Sequence, residues 1–255
     1  MQYIFDGTYY GLLTCVFDAF SKKEFDVKIS SGQQFNSDMF AKPCYVQTDI
    51  QKGKRIVKAL NRLLGAKNAD IFFRAYLSED PIAFQTIFNI LMKGFSASFD
   101  ILKDFGDKDI LHFSQILKQV GREQHRMKAF VRFQKSNDGL YFALIGPDFN
   151  VLPLIAYFFK NRYSDQRWMI YDTKRNYGLM YDLKSVFEVQ LQQFDQNAVA
   201  TSQSSIELDE EELKYQRLWK QYFKSTNIEA RKNMKLHIQH VPKRYWKYLI
   251  EKQGD

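Results

Sequence analysis

A short basic stretch from Gly121 to Gln134 contains the residue types that favour chemistry with an anion. Its cations and its histidine are Arg122, His125, Arg126, Lys128 and Arg132, and its only acid is Glu123. On a helix, positions 122, 125 and 126 share a face. From position 128 the apolar residues alternate, which predicts a strand over 128–133. Like charges at this spacing repel unless an anion separates them, so the stretch predicts a surface that contacts phosphate groups.

His125 is the residue of this stretch that could transfer a proton. It is a candidate general acid–base residue or a donor to a phosphate group, and Glu123 is expected to point away from it. Three carboxylates at predicted strand ends could assist catalysis if they met at one edge of the sheet: Asp165, Asp172 and Asp182. Turn and cap roles are the favoured interpretation of these carboxylates, and Asp172 or Asp182 could also pair with the cations of the basic stretch.

Signals for a metal or a cofactor are weak in this sequence. His237 and His240 lie three residues apart, but no cysteine is near them and lysines surround them. The chain has no phosphate-binding P-loop, dinucleotide fingerprint or serine nucleophile elbow. We therefore expect no metal site and no cofactor.

The strongest concentration of charge lies between Leu213 and Ile250. Ten basic residues face a single acid there, so this segment holds the positive surplus of a chain whose net charge is +8. Aromatic residues alternate with the cations; cations neutralise phosphates, and aromatic rings stack on unpaired bases. The residues expected to contact nucleic acid are Lys232, Lys235, Lys243, Arg244, Trp246 and Lys247. The alternative is that the rings pack this segment onto the core and the cations stay solvated.

Composition limits the class of protein. The 255 residues suffice for one large domain or two modest ones, and 45% hydrophobic and 26% charged residues are ordinary globular values. Cys15 and Cys44 form no CxxC pair, which favours reduced thiols. The N-terminus lacks the basic region of a signal peptide, and no apolar run approaches the ~18 residues of a membrane span. We expect a cytoplasmic protein with no membrane association.

The spacing of apolar residues predicts an α+β fold with a central antiparallel sheet of about four to five strands flanked by helices. Short strands are expected at 3–5, 25–29 and 45–48 before this sheet. Within the sheet, tight turns are expected at 137–139 (Asn-Asp-Gly) and 174–176 (Lys-Arg-Asn).

The same patterns divide the chain into segments. Residues 1–80 form an N-terminal α/β segment that packs on the core, and residues 121–191 contain the sheet. A Gln- and Ser-rich stretch, 192–208, is the expected linker. A basic helical arm, 209–250, completes the segmentation, and we call it the basic arm.

Five long stretches of the sequence resemble one known family. They are FDGTYYGLLTCVFDAF, REQHRMKAFVRFQ, DGLYFALIGPDFNVLPLIA, DQRWMIYDTKRNYGLMYD and YQRLWKQYFKSTNIEARKNMKLHIQHVPKRYWKYL. The chain resembles the DNA metabolism or DNA repair proteins that accompany a radical SAM protein and contain a domain of unknown function. In this resemblance the domain spans about 82–250. Longer members resemble the chain fused to a uracil-DNA glycosylase domain, an extension that is not expected here because the sequence ends at Asp255.

This resemblance implies DNA repair or modification with a radical SAM partner, and it supplies no catalytic residues. The leading hypothesis is an accessory protein that binds DNA and presents it to that partner. The partner would hold the iron–sulfur cluster, because two cysteines are too few to ligate one. Two alternatives are a DNA-acting enzyme, nuclease- or glycosylase-like, that uses His125 with sheet-edge carboxylates, and a protein-only adaptor whose basic arm binds an acidic surface.

Overall fold

Two sheets of different kinds, each with its own helices, make this an α+β protein, as the sequence predicts. The computed structural model describes residues 1–32, 43–191, 208–226 and 233–253. The chain separates into two compact units, 1–122 and 123–255, with the division inside one long helix.

The first unit is built on a parallel sheet of three strands in the order β2–β1–β3. Its elements are β1 (Gln2–Phe5), α1 (Tyr9–Lys22), β2 (Lys28–Ser31), β3 (Pro43–Tyr45), α2 (Ile50–Leu64), α3 (Ala66–Tyr76), α4 (Pro81–Ser96), a 3-10 helix (Phe99–Lys103) and the first part of α5 (Lys108–Phe130). The three strands are those that the sequence predicts, although β2 and β3 are displaced by two to three residues. β1 is buried along its length because it is the central strand.

Side-chain caps begin the helices of this unit. Thr8 accepts a hydrogen bond from the Gly11 amide at α1, and Asp49 accepts one from the Gln51 amide at α2, so both act as the N-caps that their residue types favour. Asn68 is a residue type that favours helix starts, but α3 already begins at Ala66. The Asn68 amide instead donates to the backbone carbonyl of Leu64.

The second unit contains a five-stranded sheet in the order β4–β5–β6–β7–β8. Its elements are the end of α5, β4 (Gln134–Lys135), β5 (Tyr141–Ile145), α6 (Leu152–Arg162), β6 (Trp168–Asp172), β7 (Tyr177–Tyr181), β8 (Val186–Val189), α7 (Glu210–Thr226), α8 (Met234–His240) and two 3-10 helices (Lys243–Tyr248 and Ile250–Lys252). Both predicted turns are present, with Gly139 and Asn176 in the left-handed conformation that such turns require.

The expectation of a purely antiparallel sheet was wrong. Three of its pairings are antiparallel, but β5 and β6 are parallel, with Ile145 opposite Asp172. The reason is α6, which connects them: a helical crossover returns the chain so that the next strand runs in the same direction. α6 buries Leu152, Ile155 and Phe159, and the Phe159 ring meets Trp168 of β6.

The strand predicted over 128–133 was also wrong, because α5 continues to Phe130. Its buried side chains include Val120, Glu123 and Met127, whose spacings of three and four are helical. The alternation after position 128 is too short to override that helical face. The strand that follows, β4, begins only at Gln134.

Much of the predicted linker, 192–207, lies outside the described residues. Leu208 forms an isolated bridge with Ser136, and α7 is the first helix of the helical arm expected over 209–250. Residues 227–232 lie outside the described part, and the next helix of the expected helical arm, α8, begins at Met234. In the described ranges, no helix combines the length and hydropathy needed to cross a membrane.

Candidate nucleic-acid interface

Two loops lie side by side where the parallel strands β5 and β6 end. Residues 146–150 follow β5 and residues 173–176 follow β6, and the Thr173 amide donates to the Ile145 carbonyl at 2.9 Å. Carboxyl ends of adjacent parallel strands commonly form binding crevices, because their connections leave the sheet on the same side. This edge therefore places Asp148, Lys174 and Arg175 close together.

The 3-10 helix 243–248 of the basic arm packs against this edge through its aromatic rings. The Tyr248 hydroxyl forms a 2.7 Å hydrogen bond with the Thr173 hydroxyl. Gly146 makes room for that ring, because a Cβ at this position would overlap the Tyr248 hydroxyl. The Trp246 indole donates to the Val241 carbonyl at 3.0 Å. Each ring thus faces the protein.

Glu123 is the centre of this arrangement, and its side chain is only 1% exposed. The Tyr245 hydroxyl lies 2.5 and 2.6 Å from its two carboxylate oxygens, and the Asp148 amide donates to one of them at 2.8 Å. Burial and the Glu123 carboxylate together raise the pKa of Tyr245. The hydroxyl therefore stays protonated and continues to donate.

Two predicted site residues, Arg126 and Arg244, meet at this buried carboxylate. Arg126 Nη1 lies 3.9 Å and Arg244 Nη2 3.8 Å from Glu123 Oε2. Glu123 therefore pairs with Arg126, and neither Asp172 nor Asp182 is the acid that Arg126 meets.

At the surface, Asp148 holds two cations. Its carboxylate lies 2.8 Å from Arg244 Nε and 2.7 Å from Lys174 Nζ. Arg175 lies beneath, paired with Asp172 at 2.8 Å and donating to the Pro147 and Asp148 carbonyls. Burial raises the pKa of Asp172, although Arg175 opposes that shift. The edge is a network of alternating charges with Lys174 and Arg244 on its outer side.

The three carboxylates do not gather at one sheet edge, and the turn role expected for Asp182 is confirmed. Asp182 follows β7 and Asp165 precedes β6, and the pairing of Trp168 with Tyr181 puts both at the end opposite Asp172. Asp182 accepts hydrogen bonds from the amides of residues 184 and 185, as a turn residue does. Among the described residues, no three His, Cys, Asp or Glu side chains converge as metal ligands would.

The remaining residues of the basic stretch have separate surroundings. Arg122 and His125 are exposed on α5. Lys128 Nζ lies 5.2 Å from the centre of the Phe158 ring. Arg132 forms a two-point ion pair with Glu251, at 2.7 and 3.3 Å, and lies over the Trp219 ring. Arg132 is therefore held by an internal acid, while Arg122 and His125 face solvent.

In the basic arm, the predicted cations face outward. Lys235, Lys243, Arg244 and Lys247 are exposed, whereas Trp246 is half-buried between the rings and cations around it. Within the described part of the chain, Lys235, Lys243 and Lys247 contact no carboxylate. Lys232 lies outside the described residues.

Sequence reasoning missed Glu123, Asp148, Tyr245 and Tyr248 as the residues that build the edge. Glu123 could have been recognised as the one acid of a basic helix, three residues before Arg126. Asp148 follows a β-rich segment in a Gly-Pro-Asp turn. The long-range pairing of Tyr245 with Glu123 spans 122 residues and leaves no local signal.

Comparison with known proteins adds a family but no activity. No curated protein and no solved structure matches the chain. A family model described as a domain of unknown function, DUF4130, matches residues 81–251, which include α4, α5, the five-stranded sheet and the basic arm. By this match, the chain is a member of the DUF4130 family.

Proposed function

We propose that this protein binds nucleic acid through the basic arm and acts as an accessory to a radical SAM enzyme in DNA repair or modification. One observation carries the proposal. The helix 243–248 is fixed by its aromatic residues and presents its cations, since Tyr245, Trp246 and Tyr248 are hydrogen-bonded inward while Lys243 and Lys247 are exposed.

This arrangement suits a phosphate backbone. Exposed lysines that a fold holds in place release counterions when they meet phosphates, and this release provides most of the affinity of non-specific nucleic-acid binding. Fixing the backbone beforehand lowers the ordering cost of association. Inward-packed rings with exposed cations also fit the alternative of a solvated face, and the binding measurement below distinguishes the two.

Helix α7 provides exposed aromatic rings that complement the cations of the helix 243–248. Tyr215, Trp219 and Tyr222 are exposed on it, with Lys214 and Arg217 among them. Rings next to cations are the combination that binds single strands, since bases stack on the rings while the cations neutralise phosphates. The basic arm therefore has the groups for both contacts.

The proposal of a radical SAM partner rests on the resemblance of the five sequence stretches. An iron–sulfur cluster needs more thiolates than Cys15 and Cys44 provide, and the Cys15 thiol is buried, so the partner would supply the cluster. The alternative of an enzyme that uses His125 with sheet-edge carboxylates is less favoured, because Asp172 lies at the end of the sheet opposite Asp182 and the predicted set of carboxylates does not meet.

The test measures binding of labelled single-stranded and duplex oligonucleotides at rising salt. We expect the logarithm of the association constant to fall linearly with the logarithm of salt concentration, with a slope that reports several phosphate contacts. Absence of binding at low salt, together with capture of an acidic protein partner, would favour the protein-only adaptor instead.

A further inference from the structure

We propose that the groove between α5 and α6 is a subsite for one unpaired nucleobase and its phosphate. This inference rests on the proposed function and names the form of nucleic acid: a single strand or a nucleotide out of its stack. We call this feature the α5–α6 groove; it is lined by Gln124 and Lys128 of α5 and by Tyr157, Phe158, Asn161 and Arg162 of α6, together with Leu154.

The fold forces an aromatic ring into solvent at this groove. α6 buries Leu152, Ile155 and Phe159 on one face, so Tyr157 falls on the other and is 76% exposed. A tyrosine side chain buries a large surface area on binding, and only two of its torsion angles become fixed, so the loss of conformational entropy is small. Tyr157 is therefore a platform on which a flat ring can stack.

The charges around this ring select an anion. The groove contains Lys128 and Arg162, and every other lining residue is uncharged. Lys128 Nζ lies over the Phe158 ring at 5.2 Å, a position that limits its motion without neutralising it. The ligand that fits two cations beside an exposed ring carries both a negative charge and an aromatic face.

The size and polar groups of the groove match a single nucleotide. Its volume is about 540 Å³, within the ~300–1,000 Å³ of small-ligand sites. Gln124 is oriented by a 2.8 Å hydrogen bond from its amide nitrogen to the Leu154 carbonyl, and Asn161 supplies a second amide at the rim. Side-chain amides recognise base edges, whereas duplex DNA hides the base faces that Tyr157 would meet.

The experiment compares wild type with Tyr157→Ala, Tyr157→Phe and Tyr45→Ala on an oligothymidine and on a blunt duplex of equal length. Tyr45 is 74% exposed in the first unit and is the matched control. We expect Tyr157→Ala to weaken oligothymidine binding about tenfold or more and to leave duplex binding unchanged. Tyr157→Phe and Tyr45→Ala should bind both ligands like wild type.

Each contrary result is distinct. If wild type binds DNA and Tyr157→Ala binds it equally tightly, the subsite is overturned and the proposed function stands. Equal losses on oligothymidine and duplex would overturn the unpaired-base assignment. Competition by poly-glutamate as effective, charge for charge, as oligothymidine would replace the nucleotide with an acidic peptide. Failure of wild type to bind either oligonucleotide would overturn both proposals. The melting temperature of each variant establishes that it is folded.

Discussion

Glu123 shows how a single acid can organise a cationic stretch. Its neighbours in sequence are basic, yet its carboxylate is buried and accepts hydrogen bonds from Tyr245 and from the Asp148 amide. A buried charge without such donors would be strongly destabilising. Glu123 therefore joins α5, the loop after β5 and the basic arm through one side chain.

Tyr245→Phe should reduce the free energy of unfolding by about 1.5–3 kcal/mol, because a buried carboxylate loses a hydrogen-bond donor while the ring is retained. Chemical denaturation at neutral pH measures this change. Tyr215→Phe is the control, since Tyr215 is 60% exposed and should change stability very little. Equal stability of the two variants would show that the Glu123 contact does not hold the arm.

Glu251 provides a pH-dependent contact in the same region. Burial alone would raise its pKa, but hydrogen bonds from Arg132 and Trp219 outweigh burial and lower that pKa. A carboxylate whose pKa is lower in the folded state stabilises the fold above its unfolded pKa, which is about 4.3 for Glu, and loses that contribution as pH falls through the folded pKa.

We therefore expect Glu251→Gln to cost about 1–3 kcal/mol at pH 7, and the gap between the variant and wild type to narrow below about pH 4. Unfolding curves at several pH values measure the gap, with Glu211→Gln on the exposed surface of α7 as the control. A gap that is constant from pH 7 to pH 3 would refute a role for the ionised carboxylate.

Among individual side chains, the sequence predicts the cations and not the acids that hold them. Exposure of Lys243 and Lys247 follows from their charge, and both were predicted as contact residues. The pairing of Arg132 with Glu251 joins residues 119 apart in sequence, and no periodicity carries that information. The contact between Arg132 and Glu251 follows from how the end of α5 and the second 3-10 helix pack together.

Helix α5 illustrates the competition between local patterns. It passes through Gly121 and through the residues expected to form a strand, because its apolar face at helical spacing is longer than the short alternation that follows. The sheet shows the opposite case: its approximate number of strands and its two tight turns follow from local patterns and were predicted, whereas the parallel pairing of β5 and β6 depends on the crossover through α6.

Two glycines in helices should respond to alanine with opposite signs. A Cβ at Gly121 meets nothing within 4 Å, so Gly121→Ala should raise stability by about 0.5–1 kcal/mol through helix propensity. A Cβ at Gly94 in α4 would overlap the ring of Phe99, so Gly94→Ala should lower stability by about 1–3 kcal/mol. Thermal and denaturant unfolding measure both variants, and a change of the same sign would contradict this account of the two helices.

The distribution of charge along the chain is the whole-molecule feature that motivates the proposal of an anionic partner. Residues 213–250 of the basic arm contain ten basic residues and one acid, whereas the rest of the chain is close to neutral. A general surplus of charge attracts nucleic acid without selecting a surface. What makes the arm a distinct surface is that its cations are positioned by rings bound inside the second unit.

The most direct measurement compares the salt dependence of DNA binding in two variants with the same net charge. Lys243→Gln with Lys247→Gln removes two cations of the arm, and Lys54→Gln with Lys58→Gln removes two exposed lysines of α2. We predict that the arm variant weakens binding and lowers the salt slope by about 1.4–1.8, the value for two lost phosphate contacts, while the α2 variant keeps the wild-type slope. Equal slopes in the two variants would contradict binding through the arm.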